Sequence, residues 1–502
     1  MGDRPAPYVT KSKYVAGLQC ELRLWKQVYT PQPNQEAKPG TPQYEGTRIG
    51  ELARTCFPGG VLVNNKANDH RGALERTRIL MSEACPAIFE GAFEHDNRRI
   101  RVDILRHVRE GKWALYEVKS STSIHEEHLD DAAFQADVLR QSGVNLSSVS
   151  IVHICNKYRR GLGGIDVNKL FQIVDVSERL NVQSKNMKLN LASMADILGN
   201  TEPPKVAPGL HCWQPYACEF LDQCTKTVPK DWIVNFPRVT QAQIDELSAI
   251  GVSSIGDIPD NVTLRSLQDT IRAVHRTGVP FISSSIQESL RPFGPPAFYL
   301  DFESMMPGIP LYPETSPYQH IPFLFSLHRD QGGSLSHSEY IAPPGPDPRR
   351  AVAEELIRQT SLANDPIIVY SHYEKRILNE LASALPELAP DLKKIIDRLQ
   401  DLLMVVRRTI YLPAFNGSFS IKDVGPALSD VKYEDLDIGD GSAAAAAYQQ
   451  LVETPDMLSA TKEKSLSDLR TYCKRDTRAM VKVHRALIKM ADTQISSIAT
   501  RR

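Results

Sequence analysis

Two strand-like runs with acids at fixed places constrain this chain most. The first, Ile100-Arg-Val-Asp-Ile-Leu105, carries Asp103, and the second ends on Glu117-Val118-Lys119. Residues two apart on a strand share a face, so Glu117 and Lys119 point the same way. Carboxylates on neighbouring strand ends can hold a divalent metal, and a lysine beside them can orient or deprotonate an attacking water. Acids and lysines end strands in many proteins, so the order of the surrounding elements matters. A helical pattern near 44–55 precedes strand-like runs at 87–95, 99–107 and 113–119. A helix over 126–141, carrying Gln135, and an apolar strand over 149–155 follow.

At 502 residues the chain exceeds what one core organises, so two or three domains are expected. Hydrophobic residues at 41% and charged residues at 24% describe a soluble globular protein. No apolar run approaches bilayer-spanning length, so no membrane partner is expected. The opening Met1-Gly-Asp-Arg-Pro has no apolar stretch of a secretion signal, which points to the cytoplasm. A net charge of −1 gives no global sign of nucleic-acid binding. Local basic faces would have to supply it, and the candidates are Lys11 with Lys13, Arg98 and Arg99 with Arg101, and Lys157 with Arg159 and Arg160. Proline-rich breaks at 202–208 and 292–296 divide the chain into 1–230, a helical connector over 231–290 with an Ile250-Gly-Val-Ser turn, and 291–502.

Eight cysteines in a chain this long do not make a disulfide scaffold. Cys20 precedes the strand-rich region, and Cys212, Cys218 and Cys224 follow it. One distant thiolate with three clustered ones would staple the two ends of a domain together, around either zinc or an iron–sulfur cluster. The spacing is looser than a Cys-x-x-Cys knuckle, which favours [4Fe–4S]. Cys56, Cys85, Cys155 and Cys473 read as core thiols.

A second constellation lies downstream. Tyr299-Leu-Asp301-Phe-Glu303 ends an apolar strand with both acids on one face. Tyr472-Cys-Lys-Arg-Asp476 sets a tyrosine and an acid one helical turn apart. Between them lie two further acids, Glu374 in Val369-Tyr-Ser-His-Tyr-Glu374 and Asp401.

These residues resemble two known groups. Cys20, Asp103, Glu117-Val-Lys119, Gln135 and the Cys212/Cys218/Cys224 set are similar to the iron–sulfur RecB-type nucleases of the PD-(D/E)XK class. The α-β-β-β-α-β order matches their restriction-endonuclease-like core. The resemblance implies a DNA nuclease using Mg²⁺ or Mn²⁺, with Asp103 and Glu117 as ligands, Lys119 activating water, Gln135 supporting the site and a structural [4Fe–4S] cluster. Relatives also place a metal-binding residue on the first helix, and Glu51 matches that position. From about residue 296 onward the chain resembles the DnaQ-like, ribonuclease-H-fold DEDD 3′–5′ exonucleases. There Asp301, Glu303, Glu374 and Asp476 would hold metal and Tyr472 would position the water. The two halves together are similar to a bacterial family that joins a RecB-like half to a DnaQ-like half. Lys11-Ser-Lys-Tyr, Phe57-Pro-Gly-Gly60 and Asp301-Phe-Glu-Ser-Met-Met306 are its phrases.

The expected fold is therefore α/β: a cluster-stapled nuclease core, a helical connector and a ribonuclease-H-like domain. The expected activity is phosphodiester hydrolysis in DNA repair, DNA processing or defence against foreign DNA. No phosphate-loop motif is present, so unwinding would come from a helicase partner or from a substrate that is single-stranded or has free ends. The alternatives are an RNA-processing exonuclease and a nucleic-acid-binding scaffold with a decayed second half.

Overall fold

In the computed structural model, residues 7–33, 37–66, 68–109 and 111–499 are described, with side chains through 493. The opening Met1-Gly-Asp-Arg-Pro lies outside them. The chain forms two compact units. The first comprises 1–37, 41–227 and 307–318, and the second comprises 38–40, 228–306 and 319–502. Both are mixed α/β.

The first unit begins with β1 (Val9–Thr10), α1 (Lys11–Gln19), α2 (Glu21–Tyr29), α3 (Pro42–Arg54), β2 (Gly60–Leu62) and α4 (His70–Ser82). It continues through β3 (Ala87–His95), β4 (Arg98–Arg109), β5 (Lys112–Lys119), α5 (Glu126–Gln141) and β6 (Leu146–Ile154). Then come α6 (Val167–Leu170), β7 (Phe171–Asp175), α7 (Asn181–Gly199) and the single turn α8 (Leu221–Cys224). The sheet runs β2-β3-β4-β5-β6-β7, with β1 pairing parallel to β4. β4 is antiparallel to β3 and β5, whereas β5 and β6 run parallel through the α5 crossover.

Helix α5 is buried over most of its length, with Leu129, Ala132, Ala133, Phe134, Ala136, Val138 and Leu139 joined by His128, Asp131 and Gln135. Burial of that extent requires cover on more than one side. One side of α5 meets the sheet, and the other meets α1 and α7. Phe134 stacks on Tyr14 of α1 with ring centroids 4.8 Å apart, and Asn190 of α7 donates to the Tyr14 hydroxyl. Thr10 caps α1 by accepting from the Lys13 backbone N–H. The start of α1 is thereby fixed over the ends of β4 and β5.

The second unit contains α9 (Gln241–Ala249), α10 (Ser266–Thr277), β8 (Phe281–Ile282) and α11 (Ile286–Leu290). Residues 231–290, read as a connector, pack within this unit and form no body of their own. Their expected turn is present, with Gly251 at φ +76° closing α9 in the left-handed region that glycine tolerates. Next come β9 (Ala297–Met305), β10 (Ile321–Asp330), β11 (Leu335–Ile341), α12 (Arg349–Thr360), β12 (Ile367–Val369) and α13 (Tyr373–Ala384). The chain ends through α14 (Ala389–Asp397), β13 (Leu399–Asp401), α15 (Leu402–Thr409), β14 (Ile410–Tyr411), α16 (Ile421–Leu428), α17 (Gly441–Glu453) and α18 (Ser459–Ala499). The main sheet runs β11-β10-β9-β12-β13. Its first three strands are antiparallel, and β12 and β13 are parallel to β9. β9 sits at the centre and is buried on both faces. Among the described residues no helix is long and apolar enough to cross a membrane.

The Tyr14–Phe134 stack joins α1 to α5, and both rings are fully buried. Phe134→Ala should cost about 3–5 kcal/mol of stability, the usual cost of emptying a buried aromatic site. Denaturant unfolding of the full chain checks this, and a loss below about 1 kcal/mol would mean that the stack does not hold α1.

Candidate active sites

In the first unit, the β4–β5 register sets Ile104 opposite Tyr116 and so brings Asp103 beside Glu117. Asp103 Oδ2 accepts from the Val118 backbone N–H at 2.8 Å. Lys119 Nζ donates to Glu117 Oε1 at 2.9 Å and also to Asp131. Gln135, one turn beyond Asp131 on α5, donates to Glu117 Oε2 at 2.8 Å and to Asp131 Oδ1 at 2.9 Å. Its own Oε1 is buried without a hydrogen-bond partner. Lys11, first residue of α1, closes the group at 3.3 Å from Asp103 Oδ1 and 3.0 Å from Glu117 Oε1. Asp103, Glu117, Lys119 and Gln135 are thus together.

Two residues join them. Lys11 was legible as part of a basic face and of the Lys11-Ser-Lys-Tyr phrase, without a role in the site. Asp131 carried a signal in its spacing, because an acid four residues before Gln135 shares its helix face.

Three carboxylates face two ammonium groups here. Burial and the neighbouring Glu117 push Asp103 up to about 7. Burial works against ionised Glu117 as well, but Lys11 and Lys119 outweigh it and hold Glu117 well below the usual carboxylate range. Burial also disfavours charged Lys119, yet Asp131 and Glu117 keep it an ammonium. Lys119 is therefore set to stabilise negative charge and orient a water. It is poorly suited to removing a proton.

Cys20 caps the far end of α1, and Cys212, Cys218 and Cys224 line one cavity with it, beside Phe220 and Arg23. The Cys218 backbone N–H donates to the Cys212 carbonyl at 2.8 Å, which folds the 212–218 loop around its thiols. Burial raises all four thiols, and at Cys212 the other three cysteines add to it.

In the second unit, the end of β9 carries Asp301 and Glu303, and α18 brings Tyr472, Cys473 and Asp476 against it. Glu374, in the first turn of α13, is buried in the same cluster. Burial and then Asp476, Glu303 and Glu374 push Asp301 well above the carboxylate range, and Glu303 is raised in the same way. Burial carries Glu374 up to about 8. Burial raises Asp476 too, with Tyr433, Lys422 and Tyr472 opposing it. Lys422 lies 5.0 Å from the Tyr472 ring centroid. Burial and Asp476 keep the Tyr472 hydroxyl protonated, so it can orient a water but cannot serve as a base.

Two placements, Glu51 and Cys473, depart from the sequence reading, and Asp401 bears on its choice of middle acid. Glu51 is exposed on α3 and makes no hydrogen bond or ion pair with Asp103, Glu117 or Lys119. Asp401 caps α15, accepting from the Leu403 backbone N–H at 2.9 Å, so the cluster's middle acid is Glu374. Cys473 stands among the acids, although it reads as a plain core thiol. Tyr433, on the 429–440 loop, is a further phenol at Asp476 that no spacing in the sequence marked.

Fold and side chains together define a mixed α/β protein with two buried carboxylate clusters, one countered by lysines and the other flanked by phenols. Residues 298–420 match the family described as Domain of unknown function (DUF2779). The match takes in Asp301, Glu303, Glu374 and Asp401, while Tyr472 and Asp476 lie beyond it. No curated protein matches the chain.

A pH dependence follows from the second cluster. Its four carboxylates titrate above the 3.8 and 4.5 expected of free Asp and Glu. The stability they contribute is complete below those values and is lost as pH rises through their folded pKa values, which for Glu374 is about 8. The second unit's melting temperature should therefore fall between pH 5 and pH 8.5. Mn²⁺ at about 100 times its Kd should add about 2.7 kcal/mol, or roughly 5–10 °C, at pH 8 and much less at pH 5. Thermal melts with and without Mn²⁺ check this, and an equal Mn²⁺ effect at both pH values would contradict it.

Proposed function

We propose that the chain is a metal-dependent nuclease that hydrolyses DNA at two sites, the first held in shape by a cysteine-bound [4Fe–4S] cluster. The observation that carries the reading is the convergence of Asp103 and Glu117 on adjoining strands with Lys119 and, from α5, Gln135, with Glu117 buried and Lys119 charged. The succession of α3, then β3-β4-β5, α5 and β6, with β2 and α4 inserted after α3, supports a restriction-endonuclease-like core. Three antiparallel strands followed by two parallel ones support a ribonuclease-H-like second unit. The substrate is DNA that is single-stranded or has free ends, with a helicase as partner on duplexes, in the cytoplasm.

At the first site, Asp103 and Glu117 would hold Mg²⁺ or Mn²⁺, which when bound polarises the scissile phosphate and lowers the pKa of water. Gln135 keeps Glu117 and Asp131 in place. The Lys119 ammonium faces the phosphate and offsets the charge that develops as the bond breaks. At the second site, Asp301, Glu303, Glu374 and Asp476 supply carboxylates for metal, and the Tyr472 hydroxyl orients the attacking water for 3′–5′ trimming. Four thiols lining one cavity support a cysteine-bound cluster on Cys20, Cys212, Cys218 and Cys224.

The test is degradation of end-labelled single- and double-stranded DNA in Mn²⁺ by wild type, Lys119→Ala and Asp301→Ala. Two working sites require partial loss in each variant, with the residual first-site rate of Lys119→Ala reduced by at least about 100-fold. Absence of cutting by the wild type would overturn the DNA reading, and cutting of RNA under the same conditions would replace it. For the cluster, Cys218→Ala should destabilise the first unit and bleach a brown colour. A colourless wild type with stoichiometric zinc would refute the iron–sulfur assignment.

A further inference from the structure

Cys473 is fully buried, and its Sγ stands 3.5 Å from Asp301 Oδ2 and 3.8 Å from the Asp301 carbonyl oxygen. Ligand atoms of Asp301, Glu303 and Cys473 all lie within 4.8 Å of one another. Two oxygens of the same cluster, Glu374 Oε2 and Asp476 Oδ1, are buried without a hydrogen-bond partner. These residues are only 3% and 7% exposed. Unpartnered acid oxygens at that depth are costly unless a cation or proton serves them.

The sulfur–oxygen spacing narrows the choice of ligand. A tetrahedral metal with a sulfur at about 2.3 Å and an oxygen at about 2.0 Å holds the two about 3.5 Å apart. That is the distance found between Cys473 Sγ and Asp301 Oδ2. Oxygen-only sites suit Mg²⁺, whereas a thiolate shifts preference toward zinc-like ions.

We infer that Cys473 is a third ligand, with Asp301 and Glu303, for a thiophilic divalent ion of the zinc class, so that this site discriminates against Mg²⁺. The inference rests on the reading of Asp301 and Glu303 as metal ligands. On binding, the thiol S–H bond breaks, the sulfur electron pair goes to the metal and the proton leaves to solvent. No oxidant or reductant is needed. The competing account is a thiol that only donates a weak hydrogen bond to Asp301, and that thiol would leave metal preference unchanged.

The experiment is titration of the full chain with Cd²⁺, following the thiolate-to-metal charge-transfer absorption, in wild type, Cys473→Ser, Cys473→Ala and Asp301→Asn. The Cys20, Cys212, Cys218 and Cys224 thiols are common to all four proteins, so the difference spectra isolate Cys473. Mn²⁺ and Mg²⁺ binding by calorimetry runs in parallel.

The expected result is loss of one thiolate band in both Cys473 variants and in Asp301→Asn. Cd²⁺ affinity at this site should fall by at least about tenfold in the Cys473 variants, while their Mg²⁺ affinity stays within about twofold. An unchanged band and affinity in both Cys473 variants would overturn the inference. If Asp301→Asn keeps full Mn²⁺ binding, the underlying reading of the acids fails instead. Should Cys473→Ser lose its fold, judged by circular dichroism, Cys473→Ala decides alone, because it removes only the sulfur.

Discussion

Burying carboxylates beside one another is the constraint around which both units are arranged. An ionised acid without a partner in a protein interior costs several kcal/mol, so each cluster must neutralise its members. The first unit does it with ammonium groups: Lys11 and Lys119 keep Glu117 ionised, and Asp103 retains a proton up to about 7. The second unit sets Lys422 and Arg475 against its acids, yet burial, with mutual repulsion at Asp301 and Glu303, keeps them raised. The same residue type thus produces a charge-balanced site and a site that a divalent ion would relieve.

The placement of Lys11 ties the first site to the cysteines. Helix α1 is nine residues long, about 13.5 Å at the usual rise, with Lys11 at its start and Cys20 as its C-cap. Tyr14 and Ala16 bury its middle against the core. Whatever holds Cys20 to Cys212, Cys218 and Cys224 also sets how far Lys11 reaches toward Asp103 and Glu117. A clasp at one end of a short, well-packed helix is a positioning device for the other end. This gives the cysteines a consequence beyond holding the ends of the unit together.

Much of this was legible in the sequence, and the gaps have physical causes. The strands at 87–95 and the helix at 126–141 stand where periodicity and flanking residues placed them. The succession of the two strands placed Asp103 and Glu117 on neighbours, and the β4–β5 register sets them side by side. Helix α7 was not legible because it buries only Gln183, Met187, Met194 and Leu198 of its nineteen residues, too sparse a stripe to read. Glu51 matched a position in a pattern, but α3 turns it to solvent. Lys11 and Cys473 were assigned to surface and core because their partners lie 92 and 172 residues away in the chain. The choice between Glu374 and Asp401 depended on which acid the backbone would use as a helix cap, and Asp401 took that role.

The central claim is that two separate carboxylate clusters each bind a divalent cation. Its most direct test is calorimetric titration of Mn²⁺ into wild type, Asp103→Asn and Asp301→Asn at pH 8. The account expects two classes of binding in the wild type, one lost in each variant while the other persists. Binding by the wild type that both substitutions leave intact, or no Mn²⁺ binding at millimolar concentration, would contradict it.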